Sequence, residues 1–271
     1  MVLIERFISL RGISLFVLTI LVNTAAAEWY FHAVQFNDYQ NRVSPELCIL
    51  SPNAISKMEA KGINKDGRDY AIDKANLDIF KNGDFQLVYE SRWLNTAIFA
   101  SKKSKVVESN QIKRTWLVDR MPDEKWPILR NRSLDSSKII TVPINGKSAY
   151  GASETTANFL GLKGLHRKGY NGEGIDVIVF DGGFSNVHRL NVFDSLRLQD
   201  RFWFYKDFSQ NSANIYAAGQ HGTQVLSCMA ANLEGTYIGT GYGANYGIIA
   251  SETGDFESPL EEWAWIQAVE Y

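Results

Sequence analysis

The chain is poor in cysteine and proline, and its net charge is small. Its 271 residues include two cysteines, Cys48 and Cys228, and six prolines. Two cysteines cannot build the disulfide framework of a small secreted scaffold, and their spacing leaves open whether they pair. A net charge of −2 gives no reason to expect nucleic acid or an acidic membrane surface as a partner. The 45% hydrophobic and 21% charged residues are typical of one large globular domain or two smaller ones.

Long apolar runs are absent after the first 27 residues. Arg6 and Arg11 precede the apolar run Ile13–Val22, and three alanines at 25–27 follow it. This order predicts a secretory signal peptide, with the mature chain beginning near Glu28. The alternative is an uncleaved membrane anchor, but the run is shorter than the roughly 20 residues that a span needs. We therefore expect a secreted, periplasmic or cell-surface protein that has no membrane contact after signal cleavage.

The chain after residue 27 contains two regions that differ in amino-acid composition. Residues 28–142 mix charged and apolar side chains, residues 150–271 are rich in glycine, and the turn residues at 143–148 predict a linker. In the first region, periodicity predicts strands at Trp29–Phe36, Phe85–Tyr89 and Trp93–Phe99, and helices at Ser51–Lys61, Leu77–Lys81 and Lys105–Trp116. Strands and helices mixed within about 100 residues indicate a small α+β region.

The second region alternates predicted helices and strands. The β-branched run Ile175–Phe180 is typical of a buried strand in a parallel sheet. Helices are predicted at Ser153–His166, where Phe159, Leu162 and Leu165 share a face, at His221–Ala231 and at Leu260–Tyr271. This alternation indicates an α/β fold with a partial doubly wound parallel sheet.

Two residues lie at positions where a sheet of this type usually carries functional side chains. Asp181 follows the predicted strand, and Gly182 and Gly183 after it allow a sharp turn that leaves the carboxylate unobstructed. His221 begins a predicted helix, where a neutral imidazole can act as a general base if a carboxylate orients its other ring nitrogen. Each has an ordinary alternative when taken singly, a turn-capping aspartate or a core histidine. Together they match the first two members of the chain order Asp, His, Ser that one class of serine proteases uses.

The segments around this pair resemble a known family. Residues 175–184 resemble the Asp motif of the subtilases, the subtilisin-like S8 peptidases, and residues 221–227 resemble their His-Gly-Thr-x-Val motif. The glycine-rich segment 239–246 is similar to the one that follows the family's His helix, with Gly-Tyr-Gly in place of Ala-Pro. The stretch from Tyr150 to His166 resembles the corresponding part of subtilases of the Bacteroidetes type. The resemblance covers about residues 150–271.

The resemblance implies the N-terminal part of a serine endopeptidase that acts on peptide or protein substrates. His221 would be the general base and Asp181 would hold its tautomer, while residues 28–142 would form a prodomain that assists folding and blocks the cleft. Separately from the resemblance, we expect no cofactor and no metal site in this chain. The family's serine lies in a downstream Gly-Thr-Ser-x-Ala motif, and the sequence contains none. The serines after His221 are Ser227, Ser251 and Ser258, all in other contexts. We therefore expect this chain to be inactive by itself. The alternative is a secreted non-catalytic module that binds, chaperones or inhibits a protease and carries a vestigial peptidase half.

Two other enzyme classes do not fit the order of residues. A phosphate-binding glycine loop must follow its strand, but Gly172-Glu-Gly174 precedes it. A zinc hydrolase of the common type needs a second histidine four residues after the first, and His221 has none. An acidic patch is predicted to be a solvated face rather than a calcium site, and consists of Glu252, Asp255, Glu257, Glu261 and Glu262. Cys228 is predicted to be a small buried hydrophobe.

Overall fold

The computed structural model describes residues 7–10, 13–16, 28–37, 48–81, 83–123, 140–142, 148–209, 214–217, 219–252 and 257–271. Most of the predicted signal peptide and nearly all of the predicted linker lie outside the described residues. In the first two described ranges, β1 (Phe7–Leu10) and β2 (Ile13–Phe16) pair antiparallel. Among the helices in the described ranges, none has the length and apolar character needed to cross a membrane.

The N-terminal sheet contains four antiparallel strands in the order β4–β5–β3–β6. The strands are β3 (Glu28–Phe36), β4 (Phe85–Ser91), β5 (Thr96–Ser101) and β6 (Ile112–Pro122). Asn95 closes the turn between β4 and β5 at φ 52°, a left-handed conformation in which asparagine is enriched, and its amide donates to the Phe36 carbonyl oxygen at 3.0 Å. The predicted strands at 29–36 and 85–89 are confirmed. The strand predicted at Trp93–Phe99 begins three residues later, at Thr96, and its predicted pairing with the strand at 85–89 is confirmed.

Two short helices accompany this sheet. In α1 (Pro52–Ala60), the Ser51 hydroxyl accepts from the backbone N–H of Ala54, and proline occupies the first turn, where its missing N–H costs nothing. In α2 (Lys74–Asp78), Asp73 caps the N-terminus by accepting from Ala75. The first helix agrees with the prediction, and the second begins before the predicted turn at 77–81.

The helix predicted at Lys105–Trp116 is wrong. The residues from Ile112 onward belong to β6, an 11-residue strand that pairs with β3 along its length, from Pro122 opposite Glu28 to Ile112 opposite Phe36. Thr115, Trp116 and Val118 are β-branched or aromatic residues that favour a pleated surface. The long-range pairing with β3 therefore overrides the local helical pattern.

A three-stranded parallel sheet forms the second half of the fold. Its order is β7–β11–β8, with β7 (Asp176–Asp181), β8 (Phe202–Asp207) and β11 (Asn245–Ala250). On one face, Val179 and Ile248 pack with Leu226 of α6 (His221–Ala230). On the other face, Phe180 and Ile249 pack with α7 (Leu260–Glu270). The predicted strand at 175–180 and the predicted helices at 221 and 260 are confirmed.

Shorter elements surround the parallel sheet: α3 (Glu154–Phe159), α4 (Leu162–Arg167), α5 (Asp194–Leu198), β9 (Asn232–Leu233) and β10 (Tyr237–Ile238). The single helix predicted across Ser153–His166 is broken at Gly161, which has φ 68°. The shared apolar face is also wrong, because Leu162 is buried whereas Phe159 is 86% exposed. The left-handed residue thus separates α3 from α4.

Helix α7 lies between the two sheets and shares a core with both. Trp263 and Ala264 of α7 are buried with Phe31 and Ile98 of the N-terminal sheet and with Ile249 of the parallel sheet. The ring centroids of Trp263 and Trp116 are 6.2 Å apart. At the start of the helix, the Ser258 hydroxyl donates to the Asp119 carboxylate of β6 at 2.6 Å. The N-terminal sheet thus covers a helix that packs against the strands of the candidate site.

Candidate catalytic dyad

Asp181 is fixed at the carboxyl end of β7. It pairs in register with Ala250 at the end of β11, and its carbonyl oxygen accepts from the Ser251 N–H at 3.0 Å. The residue is 5% exposed, and its Oδ1 accepts from the Gly182 N–H at 2.7 Å. Gly183 follows at φ 145°, a conformation that favours glycine. The chain therefore turns away directly after Asp181 and holds its carboxylate at the sheet edge where α/β folds place ligands.

His221 is the first residue of α6 and meets this carboxylate. Its Nδ1 lies 2.9 Å from both Oδ1 and Oδ2 of Asp181. The imidazole is 73% exposed, and within the described part of the chain its Nε2 has no hydrogen-bond partner. The hydrogen bond and the negative charge of Asp181 raise the pKa of His221, and the charge of Glu252 adds to the rise. The structure thus brings the two sequence-predicted site residues together.

The two residues after His221 explain the His-Gly-Thr pattern. A Cβ on Gly222 would lie 2.5 Å from the Gly183 carbonyl oxygen and 2.9 Å from the Asp181 Cβ, so only glycine lets α6 approach the end of β7 this closely. The Thr223 hydroxyl donates to the Ser185 carbonyl oxygen at 2.8 Å. Gly222 therefore permits the close contact between α6 and β7. Thr223 hydrogen-bonds the first turn of α6 to the loop after Asp181.

A family match covers the N-terminal part of the chain, which does not include the dyad. Residues 31–137 match the peptidase S8 propeptide domain of Bacteroidota. No curated protein and no solved structure matches the chain. The propeptide-like region, residues 31–137, includes the N-terminal sheet from Phe31 onward, whereas Asp181 and His221 lie outside it. The match supports the predicted likeness to Bacteroidetes-type S8 peptidases and indicates part of a subtilase-type protease precursor.

The structure places the three serines downstream of His221 in surroundings of their own. The Ser227 hydroxyl donates to the Gln224 carbonyl oxygen at 2.7 Å, within α6 itself. The Ser258 hydroxyl is bound to Asp119 of the propeptide-like region. Ser251 is buried beside Asp181, to which its backbone N–H donates. Among the described residues, no hydroxyl group hydrogen-bonds to His221.

A cavity of about 500 Å³ lies just beyond the carboxyl end of β11. It is lined by Ser251, Glu252, Glu257, Glu261, Glu262, Trp265 and Ile266. Asp255, the remaining member of the predicted acidic patch, lies outside the described residues. Burial and the negative charges of Asp181 and Glu261 raise the pKa of Glu252. Among the described side chains, no group of three or more His, Cys, Asp or Glu residues could hold a metal ion.

Glu252 is a site residue that the sequence prediction placed only in a solvated patch. Replacing it with glutamine is expected to lower the pKa of His221 by removing a negative charge that favours the imidazolium. The measurement is an NMR pH titration of the His221 ring. Glu262→Gln is the matched control, because Glu262 lines the same cavity but is not among the charges that shift His221. Equal titration curves for wild type and Glu252→Gln would contradict the prediction.

The prediction for Cys228 is wrong. Leu226 and Ala230 face the parallel sheet, and Cys228, midway between them on α6, is exposed. Its Sγ lies 3.7 Å from the Tyr237 hydroxyl. Cys48 is half-buried, and both thiols are free.

Proposed function

We propose that the chain is the N-terminal portion of a secreted serine endopeptidase of the subtilase type, which supplies the Asp and His of the triad and acts on peptide or protein substrates once the serine is present. The observation that carries the proposal is the hydrogen bond between His221 Nδ1 and the Asp181 carboxylate at the end of a parallel strand. The match of residues 31–137 to an S8 propeptide supports it from the other half of the chain.

The chemistry of the pair follows from its hydrogen bonds. Because the Asp181 carboxylate is an acceptor, it keeps the proton on Nδ1 and leaves the lone pair on Nε2. When a serine hydroxyl attacks the peptide carbonyl, Nε2 takes its proton and the new imidazolium is stabilised by Asp181. His221 then returns the proton to the leaving amine. The part of Asp181 is to orient the histidine and to stabilise the imidazolium.

The remaining parts of the chain have roles in the same proposal. Residues 1–27 direct secretion, and residues 28–142 act as a prodomain whose N-terminal sheet packs on α7. Helix α7 in turn packs against Ile249 of the central strand β11. With α6 on the opposite face, residues 150–271 form the first part of a doubly wound sheet. The prodomain would then assist folding by covering one helix of that sheet.

A second function is a secreted non-catalytic module that binds, chaperones or inhibits a protease. It is favoured by the family match, which covers residues 31–137 and includes neither Asp181 nor His221. The gene sequence beyond the codon for Tyr271 separates the two functions. An in-frame Gly-Thr-Ser-x-Ala supports the endopeptidase, whereas a stop codon at that position supports the binding module.

The isolated chain is expected to show no turnover of a fluorogenic peptide above that of its His221→Ala variant. The reason is that no hydroxyl group among the described residues hydrogen-bonds to the His221 imidazole. If the reading frame continues through the serine motif, the longer product is expected to hydrolyse the same peptide and to lose this activity in His221→Ala. Turnover by the isolated chain that disappears in His221→Ala would contradict the first expectation. An inactive longer product that carries the motif and folds would contradict the endopeptidase itself.

A further inference from the structure

At the C-terminal end of α7, the contact with the N-terminal sheet brings together two carboxyl groups, Glu270 from the helix and Glu90 from the sheet. Glu270, the last residue of α7, is 7% exposed. Its carboxylate accepts from the Ser91 hydroxyl at 2.5 Å and from the Arg92 backbone N–H at 2.8 Å. Both donors belong to the end of β4 and the turn that follows it. Glu270 therefore holds the end of α7 to the edge of the N-terminal sheet.

Glu90, one residue before Ser91, shares a cavity with Glu270. The cavity has a volume of about 470 Å³ and is lined by Ile49, Ala71, Ile72, Glu90, Arg92, Gln267, Glu270 and Tyr271. The charged groups that line it with Glu90 are Arg92 from the same sheet and Glu270 from α7. Tyr271 is the other titratable group in the wall, and the segments before β4 contribute apolar side chains. Glu90 is half-buried, so water screens its charge incompletely.

Both carboxyl groups are harder to ionise here than in water. Burial raises the pKa of Glu90 above the ordinary 4.5, and the charge of Glu270 raises it further. Burial also raises the pKa of Glu270, although the hydrogen bonds from Ser91 and Arg92 oppose the rise. If the sheet and the helix separate, both groups enter water and ionise at their ordinary pKa. The packed state therefore binds more protons than the separated state.

We propose that Glu90 and Glu270 make the packing of the N-terminal sheet on α7 pH-sensitive, so that it is tight in acid and loosens as the pH rises toward neutrality. A carboxyl whose pKa is raised by packing stabilises the packed state fully below the ordinary pKa of 4.5. That contribution is lost as the pH rises through the raised pKa, and no further loss follows above it. The inference does not need the dyad, but under the proposed function it would make detachment of the prodomain depend on pH.

Hydrogen exchange of the full chain tests this inference between about pH 4.5 and about pH 7.5, with rates corrected for the intrinsic pH dependence of exchange. Peptides from β4 (Phe85–Ser91) and α7 (Leu260–Glu270) are expected to lose protection several-fold across the range in wild type. In Glu90→Gln the loss is expected to be smaller, because only Glu270 of the pair still titrates, and protection at the upper end is expected to exceed that of wild type. Glu59→Gln, an exposed glutamate of α1, is the matched control and should keep the wild-type dependence.

A wild-type protection that does not fall with pH would overturn the inference, as would a Glu90→Gln protein that loses protection as wild type does. A carbon-detected NMR titration of the Glu90 carboxyl in wild type provides a second measurement that does not depend on the variant folding. A pKa at or below the ordinary value would also overturn the inference. Neither result bears on peptidase activity, so failure here is distinguishable from failure of the proposed function.

Discussion

Replacing Asp181 with asparagine is expected to return the pKa of His221 to its ordinary 6.5 or below, because the largest causes of its rise are the hydrogen bond and the charge of Asp181. An NMR pH titration of the isolated chain measures this directly. The effect should exceed that of Glu252→Gln, since Glu252 is the smallest of the causes that raise this pKa. Loss of Asp181 therefore removes most of what raises the pKa of His221 above the ordinary value.

The same substitution should also change which ring nitrogen carries the proton. Asp181 Oδ1 accepts from the Gly182 N–H, and an asparagine that keeps this bond through its oxygen turns its amide N–H₂ toward His221 Nδ1. Nδ1 must then accept, and the proton moves to Nε2. A histidine protonated at Nε2 cannot take a proton from a serine. In a longer product of the gene that carries a catalytic serine, kcat is expected to fall about 10⁴-fold.

Asp176→Asn is the matched control for this prediction. Asp176 lies at the opposite end of β7, where it accepts from the Asn245 side chain at 2.8 Å. The control removes a carboxylate from the same strand but leaves the neighbourhood of His221 unchanged. An unshifted His221 titration in Asp181→Asn, or an equal shift in Asp176→Asn, would refute the assignment of Asp181 as the partner of His221.

The elements of the dyad could be predicted from the sequence because each has a local signal. The β-branched run before Asp181 marks β7, and Gly182 and Gly183 mark the turn after it. The His-Gly-Thr pattern marks the start of α6. The structure adds the reason for the glycine, since a Cβ on Gly222 would collide with the backbone carbonyl of Gly183. That collision is a tertiary contact, so the sequence shows the residue but not its cause.

Strand β11 is not predicted from the sequence, for a reason that lies in its packing. β11 is the central strand of the parallel sheet, yet Gly247 in its middle interrupts the β-branched pattern expected of a buried strand. In the structure a Cβ at Gly247 would meet Ile178 and Phe204, one from each neighbouring strand, at 3.4 Å. The glycine fits the packing between two strands, which the local pattern cannot reveal. Because the sequence does not predict β11, it also does not place Glu252, two residues beyond the end of this strand, beside the dyad.

The contact between α7 and the N-terminal sheet is likewise non-local. Ser91 and Glu270 are 179 residues apart, and Asp119 and Ser258 are 139 apart. Neither pair has a sequence motif, and the apolar residues of α7 are distributed around the helix because it meets a sheet on two sides. The amphipathic pattern that reveals a surface helix is therefore absent from α7.

Trp263→Ala is expected to lower the free energy of unfolding by about 3–5 kcal/mol. Trp263 is 8% exposed and packs in the core that joins the N-terminal sheet, α7 and β11. Its removal leaves a cavity between two sheets that are each anchored by their own strand pairing, so the site cannot collapse easily. Urea unfolding monitored by circular dichroism measures the loss. The free energies of wild type and variant are compared only if both proteins have the same m value, the slope of the unfolding free energy against urea concentration.

Trp265→Ala supplies the matched control on the same helix. Trp265 is 50% exposed, and its contact with Phe180 is at a centroid distance of 6.1 Å. Its replacement is expected to cost less than about 1.5 kcal/mol, because much of its apolar surface stays in water in the folded state. If Trp263→Ala does not fold, Trp263→Phe should still show a loss larger than that of Trp265→Ala. Equal losses at the two positions would mean that α7 is not the helix through which the N-terminal sheet and the parallel sheet stabilise each other.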